Sequence, residues 1–404
     1  MIQSRLLITG ASFVGIGLMG IAFGFLGPSL PSLGVFLNID LEKAGLLTAG
    51  IQLGYGVMGV GGGILSDFIR RDKVLMSGCF VLGLSALLFG LRPLFSLNLL
   101  LMTLMGLGCG LILSSSNALM VGLYPERKGS ILNIHHIFAA TGSLVGPLIM
   151  GYLISRQIKW QYGYEGLGFL VLFLSAFFIF TKVPDVEIKS KVKFSQIGHL
   201  LRQKDFLLMV IVNFLAMGTQ FALIYLSVTF LKEAKGFSIG ISSVVLSSFF
   251  ILMILGRLVC GWLSARISNS AIILTLLLFL LIVVFAIWAG QGWVSAGAVM
   301  LSGLACSGIF PCLLALAGTL FHDVTGTALG VLGMTSGLGG MSACWLTALI
   351  SQRTDVGVGF VVVIISSFMA LVLFSTQYRS LLRKENKHGA LINKGTENLN
   401  PAGV

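Results

Sequence analysis

The chain has 404 residues, 56% of them apolar and only 10% charged, with a net charge of +12. A soluble domain carries roughly a quarter charged residues. A chain this poor in charge cannot cover a water-facing surface, which sets aside soluble enzymes, disordered proteins and nucleic-acid binders together. The 52 glycines and eight prolines fall inside apolar runs, where membrane helices tolerate them.

A span needs about 20 apolar residues to cross ~30 Å of hydrocarbon, and twelve stretches meet that length. They are Leu6–Leu37, Ala44–Ser66, Val74–Leu91, Leu97–Leu123, Ile131–Ser155 and Glu165–Thr181, then Phe206–Leu231, Ser238–Ala265, Ala271–Ala289, Trp293–Phe321, Gly326–Ser351 and Val356–Gln377. The first stretch stays apolar well beyond a signal-peptide core, so it reads as a helix and not as a cleaved leader. With alternating spans and the N-terminus inside, eighteen Lys and Arg face the cytoplasm and seven face outward. That asymmetry places both termini in the cytoplasm. Trp160, Trp288 and Trp293 fall at the expected outer boundary, where an aromatic belt belongs. The six cysteines all lie in apolar stretches with no CxxC pair, so neither a disulfide framework nor a metal site is expected.

The polar stretch Lys182–Lys204 divides the spans six and six. The expected fold is an all-α integral membrane protein, with twelve transmembrane helices in two pseudo-symmetric six-helix bundles. Residues 1–181 form the N-terminal bundle, 182–204 a cytoplasmic linker, 205–380 the C-terminal bundle and 381–404 a polar cytoplasmic tail without fixed structure. Within the linker, Phe194–Leu201 suits a short amphipathic helix on the membrane surface. The halves repeat weakly. Gly63-Ile-Leu-Ser-Asp67 matches Gly261-Trp-Leu-Ser-Ala265 at an offset of 198, and Leu123-Tyr124…Gly129 matches Leu320-Phe321…Gly326 at 197. Duplicated six-helix halves with a cavity between them are a transporter signature.

The run Gly63-Ile-Leu-Ser-Asp67-Phe-Ile-Arg70-Arg71-Asp72-Lys73 resembles the loop signature G-x-x-x-D-[RK]-x-G-[RK]-[RK] of the major facilitator superfamily. Its Gly, Asp and Arg71 match, while Phe68, Arg70 and Asp72 depart. Gly106-Leu-Gly-Cys-Gly110, Asn117-Ala-Leu-Met-Val-Gly-Leu-Tyr124-Pro125, Leu132-Asn133, His135-His136 and Gly146-Pro147 look like spans four and five of its fucose-permease-like branch, many of whose members carry sugars. The resemblance implies a gating role for Asp67, Arg71 and Asn133, with the Asp67–Arg71 loop latching the outward-open state. Two departures stand out: Leu113 occupies the place of an acidic residue before Asn117, and span one has no aspartate.

Polar residues in mid-span are costly and need a reason. Asn117 follows Ser114, Ser115 and Ser116; Thr48, Gln52 and Tyr55 recur at helical spacing; Asn213 and Gln220 share a face, with Tyr225 about one turn on. Amides and hydroxyls suit a neutral polyol, offering donors and acceptors without fixed charge. Trp345 or Phe221 would cover a sugar ring. The expected substrate-contacting set is therefore Asn117, Gln52, Tyr55, Asn213, Gln220, Tyr225 and Trp345, although each amide can equally serve a neighbouring helix. His135, His136 and Arg257 are the candidates for coupling to a proton, and Arg257 alternatively points to an anionic solute. No zincin motif, nucleophile elbow or buried acid–base pair occurs, so the chain is not read as an enzyme, and no cofactor is expected. The sequence describes a monomeric secondary active or facilitative transporter of the plasma (inner) membrane. It would move a small polar, sugar-like solute by alternating access, with a proton as the candidate co-substrate. The competing reading is export or exchange of an organic anion or an amphiphilic drug-like compound.

Overall fold

The computed structural model of the chain describes residues 2–124, 127–180, 194–321 and 324–397. Among them every regular element is a helix. The first half comprises α1 (Ile2–Leu37), α2 (Leu41–Phe68), α3 (Arg71–Leu88), α4 (Phe95–Leu123), α5 (Lys128–Ser155) and α6 (Gln161–Phe180). The short α7 (Phe194–Leu201) follows, with the bounds the sequence suggests; the rest of the expected linker up to residue 193 lies outside the described residues. The second half comprises α8 (Lys204–Lys235), α9 (Ile239–Ser264), α10 (Asn269–Ala289), α11 (Trp293–Cys306), α12 (Ile309–Leu320), α13 (Thr325–Arg353), α14 (Val356–Gly359) and α15 (Val361–Glu397).

Eleven helical spans are long and apolar enough to cross a membrane, counting α11–α12 and α14–α15 as one each. The twelfth is α3, whose 18 residues open with Arg71, Asp72 and Lys73. The protein is thus an all-α integral membrane protein of twelve spans in two six-helix bundles. With twelve spans, the start of α1 and the end of α15 lie on one face. There Thr9 Oγ1 and the Tyr124 hydroxyl share a hydrogen bond of 2.9 Å, and Lys384 pairs with Asp205.

Two expectations are corrected, and the tenth span, present as expected, carries a break. The tenth span is two helices: Pro311 has no N–H to give the Ser307 carbonyl and its ring crowds that position, so the helix breaks at Ser307–Gly308. The tail is helical through Glu397, and Glu385 on it caps α10 by accepting from the Asn269 and Ser270 amides at 2.7 and 3.1 Å, a favourable place for an anion. Trp160 is not in an aromatic belt. It is buried, with ring centroids 5.7 Å from Phe36 and Phe89 and 5.8 Å from Tyr164. Trp288 and Trp293 are exposed, as a belt requires.

The repeat is visible in how the helices pack. A Cβ on Gly106 of α4 would overlap the Ile51 carbonyl of α2, and one on Gly303 of α11 would overlap the Phe249 carbonyl of α9. A Cβ on Gly142 of α5 would overlap the Gly17 carbonyl of α1, and one on Gly339 of α13 the Phe214 carbonyl of α8. Each residue stands 197 or 198 positions from its counterpart. Backbones meet at these four points because no side chain intervenes, and they meet identically in the two halves.

Candidate functional site

Two long seams join the halves, α2 against α13 and α5 against α9, and α1 also meets α8, where a Cβ on Gly27 would stand 2.8 Å from the Ile224 carbonyl. On α2 the stripe Gly45, Gln52, Gly56 touches α13: a Cβ on Gly337 would stand 2.6 Å from Gly56 Cα, and Gly45 abuts Ala348. On α9 the stripe Gly240, Ser243, Ser247 touches α5, where Ser247 Oγ donates to the Leu144 carbonyl at 3.0 Å and Gly151 abuts Ser243. Both contacts occupy the half of the molecule away from the chain ends. Toward the chain ends the same stripes face open space, at Gly59 and Gly63 of α2, Gly326, Gly330 and Gly333 of α13, and Gly261 of α9. The halves are closed at one end and splayed at the other. On the closed side, the Leu41 amide donates to Gln352 Oε1 at 3.0 Å beside a shallow cavity of about 460 Å³ that includes Asp40, Lys232 and Glu233.

Within the closed part of the α2–α13 seam, next to where it opens, the structure brings three of the expected residues together. Gln52 is fully buried and its Nε2 donates to the Tyr225 hydroxyl across the halves at 3.2 Å, while its Oε1 has no partner among the described residues. Tyr55 stands one turn from Gln52, edge-on to Phe23 at 5.2 Å, and the ring of Phe221 lies nearly parallel to Tyr225 at 6.1 Å. This combination of aromatic walls, hydroxyls and a half-used amide can hold a polar molecule by its hydroxyl groups and by the faces of a ring.

Other expected residues lie elsewhere. Asn213 is a tie between helices: its buried Nδ2 donates to the Leu332 carbonyl at 2.7 Å and to the Thr335 and Ser336 hydroxyls at 3.0 Å each. Gln220 shares its face of α8 and is almost fully buried. Trp345 is eight residues beyond Gly337, about 12 Å along α13. It is 37% exposed. Asn117 sits eleven residues past Gly106, about 16 Å toward the chain ends. It is half-buried, with Oδ1 unpartnered among the described residues. Ser114, Ser115 and Ser116 return their hydroxyls to carbonyls of their own helix. Arg71 opens α3 and its Nη1 donates to the Ala118 carbonyl at 2.8 Å. Asp67 and Asn133 lie on α2 and α5, and their side chains fall outside the described residues.

The basic candidates separate as well. His135 is fully buried against α1, its ring 5.6 Å from Phe13. His136 is half-buried, and the charge of Arg257 acts on both His136 and Tyr55. Sequence reasoning missed the Leu41–Gln352 and Ser247–Leu144 ties, because in each a side chain finds a backbone atom far away in the chain and no residue pattern marks such a partner.

The chain matches the Major Facilitator Superfamily over residues 12–343 and again over 243–396. Two curated relatives are TsgA homologues of Buchnera aphidicola. That of subsp. Schizaphis graminum is 22% identical over 192 residues, 46% of this chain and 49% of that protein. That of subsp. Baizongia pistaciae is 23% identical over 283 residues, 67% of this chain and 69% of that protein. The match thus spans about half the length of the first and about two thirds of the second. Among solved structures, a bacterial homologue of the human lysosomal transporter Spinster, in an inward-facing and occupied conformation, superposes with a TM-score of 0.77 at 14% identity, covering 95% of this chain and 98% of that one. The nucleoside transporter NupG superposes with a TM-score of 0.75 at 15% identity, covering 94% and 99%. The transporter FucP, in the outward conformation, gives 0.64 at 16% identity, covering 93% and 99%. With two repeated six-helix halves meeting along paired seams and the family matched along most of its length, the chain belongs to the Major Facilitator Superfamily.

Proposed function

We propose that the protein carries a small polar, sugar-like solute across the plasma (inner) membrane by alternating access. Residues 1–181 and 205–380 would rock against each other around the Gln52–Tyr225 pair, with both termini in the cytoplasm. In that orientation the splayed end faces the cytoplasm and the state is inward-open. One observation carries the reading: in the closed part of the α2–α13 seam, two turns before the opening at Gly59, a buried glutamine with a free carbonyl bonds a tyrosine of the other half between aromatic rings. A solute with hydroxyl groups can replace that bond on either side, which couples occupancy to the closeness of the halves. Transport of nucleosides by one structural neighbour and fucose–proton symport by another support a hydroxyl-rich cargo and a proton as co-substrate. A single chain holds both halves, which supports a working monomer.

The test is uptake by the purified protein in liposomes, using a panel of labelled hexoses, hexitols, sugar acids and nucleosides with and without an imposed pH gradient. Uptake of at least one of them without ATP, reduced at least tenfold in Gln52→Leu, is expected. A protein that moves none of them and instead expels an amphiphilic dye would overturn the reading in favour of drug export. Reporter fusions at the two termini test the orientation.

A further inference from the structure

Arg257 is the sole Lys or Arg set within an expected span, and the reading above does not use it. It lies on α9 seven residues before Ser264, about 10 Å from the end of the helix. It belongs to the stripe Gly240, Ser243, Ser247, Ile254, Arg257, Gly261, which closes on α5 at one end and opens at the other. Side chains on a helix lean toward its N-terminus, so the guanidinium reaches back toward mid-membrane, where its charge acts on Tyr55 of α2 and His136 of α5.

The repeat places this residue independently. At the offset of 198 that pairs Ile51 with Phe249, the counterpart of Arg257 is Gly59. At 197, the counterpart of His136 is Gly333. Gly59 and Gly333 both face open space where α2 and α13 part. Arg257 and His136 therefore stand at the matching positions of the other seam, on the wall of the opening between the halves.

Among the described residues the guanidinium's side-chain bond is to Met253 Sδ at 3.9 Å, a weak acceptor for a group with five donors. No carboxylate among the described residues pairs with it. An unpaired arginine within the membrane is expensive and marks a function.

We infer that Arg257 is an oxyanion-binding residue of the transport site, so that the cargo is a polyhydroxy monocarboxylate, a sugar acid rather than a neutral sugar. The inference rests on the polar-solute reading and names its substrate class. The carboxylate takes the planar fork of Arg257 in two parallel bonds, and the hydroxyl groups reach the Tyr55 and Gln52–Tyr225 cluster. One fixed positive charge beside a phenol balances one carboxylate. A phosphate dianion would leave a net negative charge in a low-dielectric site.

The experiment measures ligand-induced thermal stabilisation of the full chain in detergent with D-gluconate, D-gluconamide, D-glucose and glucose 6-phosphate. D-Gluconate should stabilise the wild type, and uncharged gluconamide should bind on the order of 30-fold more weakly, the loss expected for a charge-assisted bond. Arg257→Gln should remove that preference, and Arg257→Lys should keep part of it, since lysine retains the charge without the fork. The wild-type comparison of gluconate with gluconamide decides even where a variant does not fold. Equal binding of glucose or gluconamide overturns the anion site and leaves the polar-solute reading standing. Preference for glucose 6-phosphate keeps an oxyanion site and overturns the carboxylate. Binding of none of the four overturns the inference; the transport panel of hexoses, hexitols, sugar acids and nucleosides then decides the parent reading separately.

Discussion

The two long seams between the halves are related by the repeat, yet they differ in chemistry. The α2–α13 seam is lined by glycine: Gly56 meets Gly337 where it is closed, and Gly59 and Gly333 face the opening. In the α5–α9 seam the positions matching Gly59 and Gly333 carry Arg257 and His136. One seam has backbone as its wall and the other has side chains. Duplication supplies a pair of hinged contacts of equal shape, and substitution on one of them supplies the chemistry.

The largest expected effect breaks the glycine seam. In Gly337→Val the new Cβ would stand 2.6 Å from Gly56 Cα and 2.9 Å from the Gln52 carbonyl, and backbone cannot give way. Transport should fall at least tenfold, and a cysteine placed at Gln352 should become more reactive to a water-soluble maleimide as the closed end is wedged apart. The equivalent wedge in the other seam, Gly151→Val, meets the Ser243 Cβ at 2.5 Å and its Oγ at 2.7 Å, part of which is a hydroxyl that can rotate away. Its loss of transport should be several-fold smaller. Equal losses would mean that the two walls yield alike, and the contrast between the seams would be gone.

A smaller effect concerns how each half holds its seam helix. Asn213 ties α8 to α13 through three acceptors; its counterpart 197 positions earlier is Ile16, on the α1 that carries α5. Asn213→Ile makes the second half resemble the first. Thr335 and Ser336 keep their bonds to the Leu332 carbonyl, so no group is stranded. The loss should be about 1–2 kcal/mol, read as a lowered midpoint of thermal unfolding in detergent. A drop several times larger would show that the asparagine holds more than this contact.

Much of this was legible in the chain because lipid imposes simple rules. Span length follows from bilayer thickness, and all of the expected spans are present in the structure. Gln52, Tyr55 and Tyr225 stood out as polar residues in apolar runs, and Arg257 as a charge where none belongs. What sequence does not carry is which of two helices a mid-span amide faces. Asn213 and Gln52 look alike in a hydropathy pattern, and only the packing of α8 on α13 turns one into a tie while the other points at Tyr225, 173 positions away. The Arg257–Gly59 correspondence was within reach, since the motif matches had already given an offset of 198. It acquired meaning only once Gly59 was seen to face open space.

The smallest expected effects come from the single hydrogen bonds that close each seam. Ser247, buried within the α5–α9 seam, donates to the Leu144 carbonyl; bonds between membrane helices are worth ~0.6 kcal/mol on average. The Leu41 amide donates to Gln352 in the α2–α13 seam at an exposed site, where water replaces a lost acceptor at little cost. Ser247→Ala should therefore shift the balance between closed and open seams roughly two- to threefold, by the exponential relation between energy and population, and Gln352→Ala by less. Both shifts can be read from distances between spin labels on α5 and α9 and on α2 and α13. A larger shift from Gln352→Ala would place the decisive latch on the glycine seam, at its water-facing end, and the α5–α9 seam would then contribute charge to the site without governing its closure.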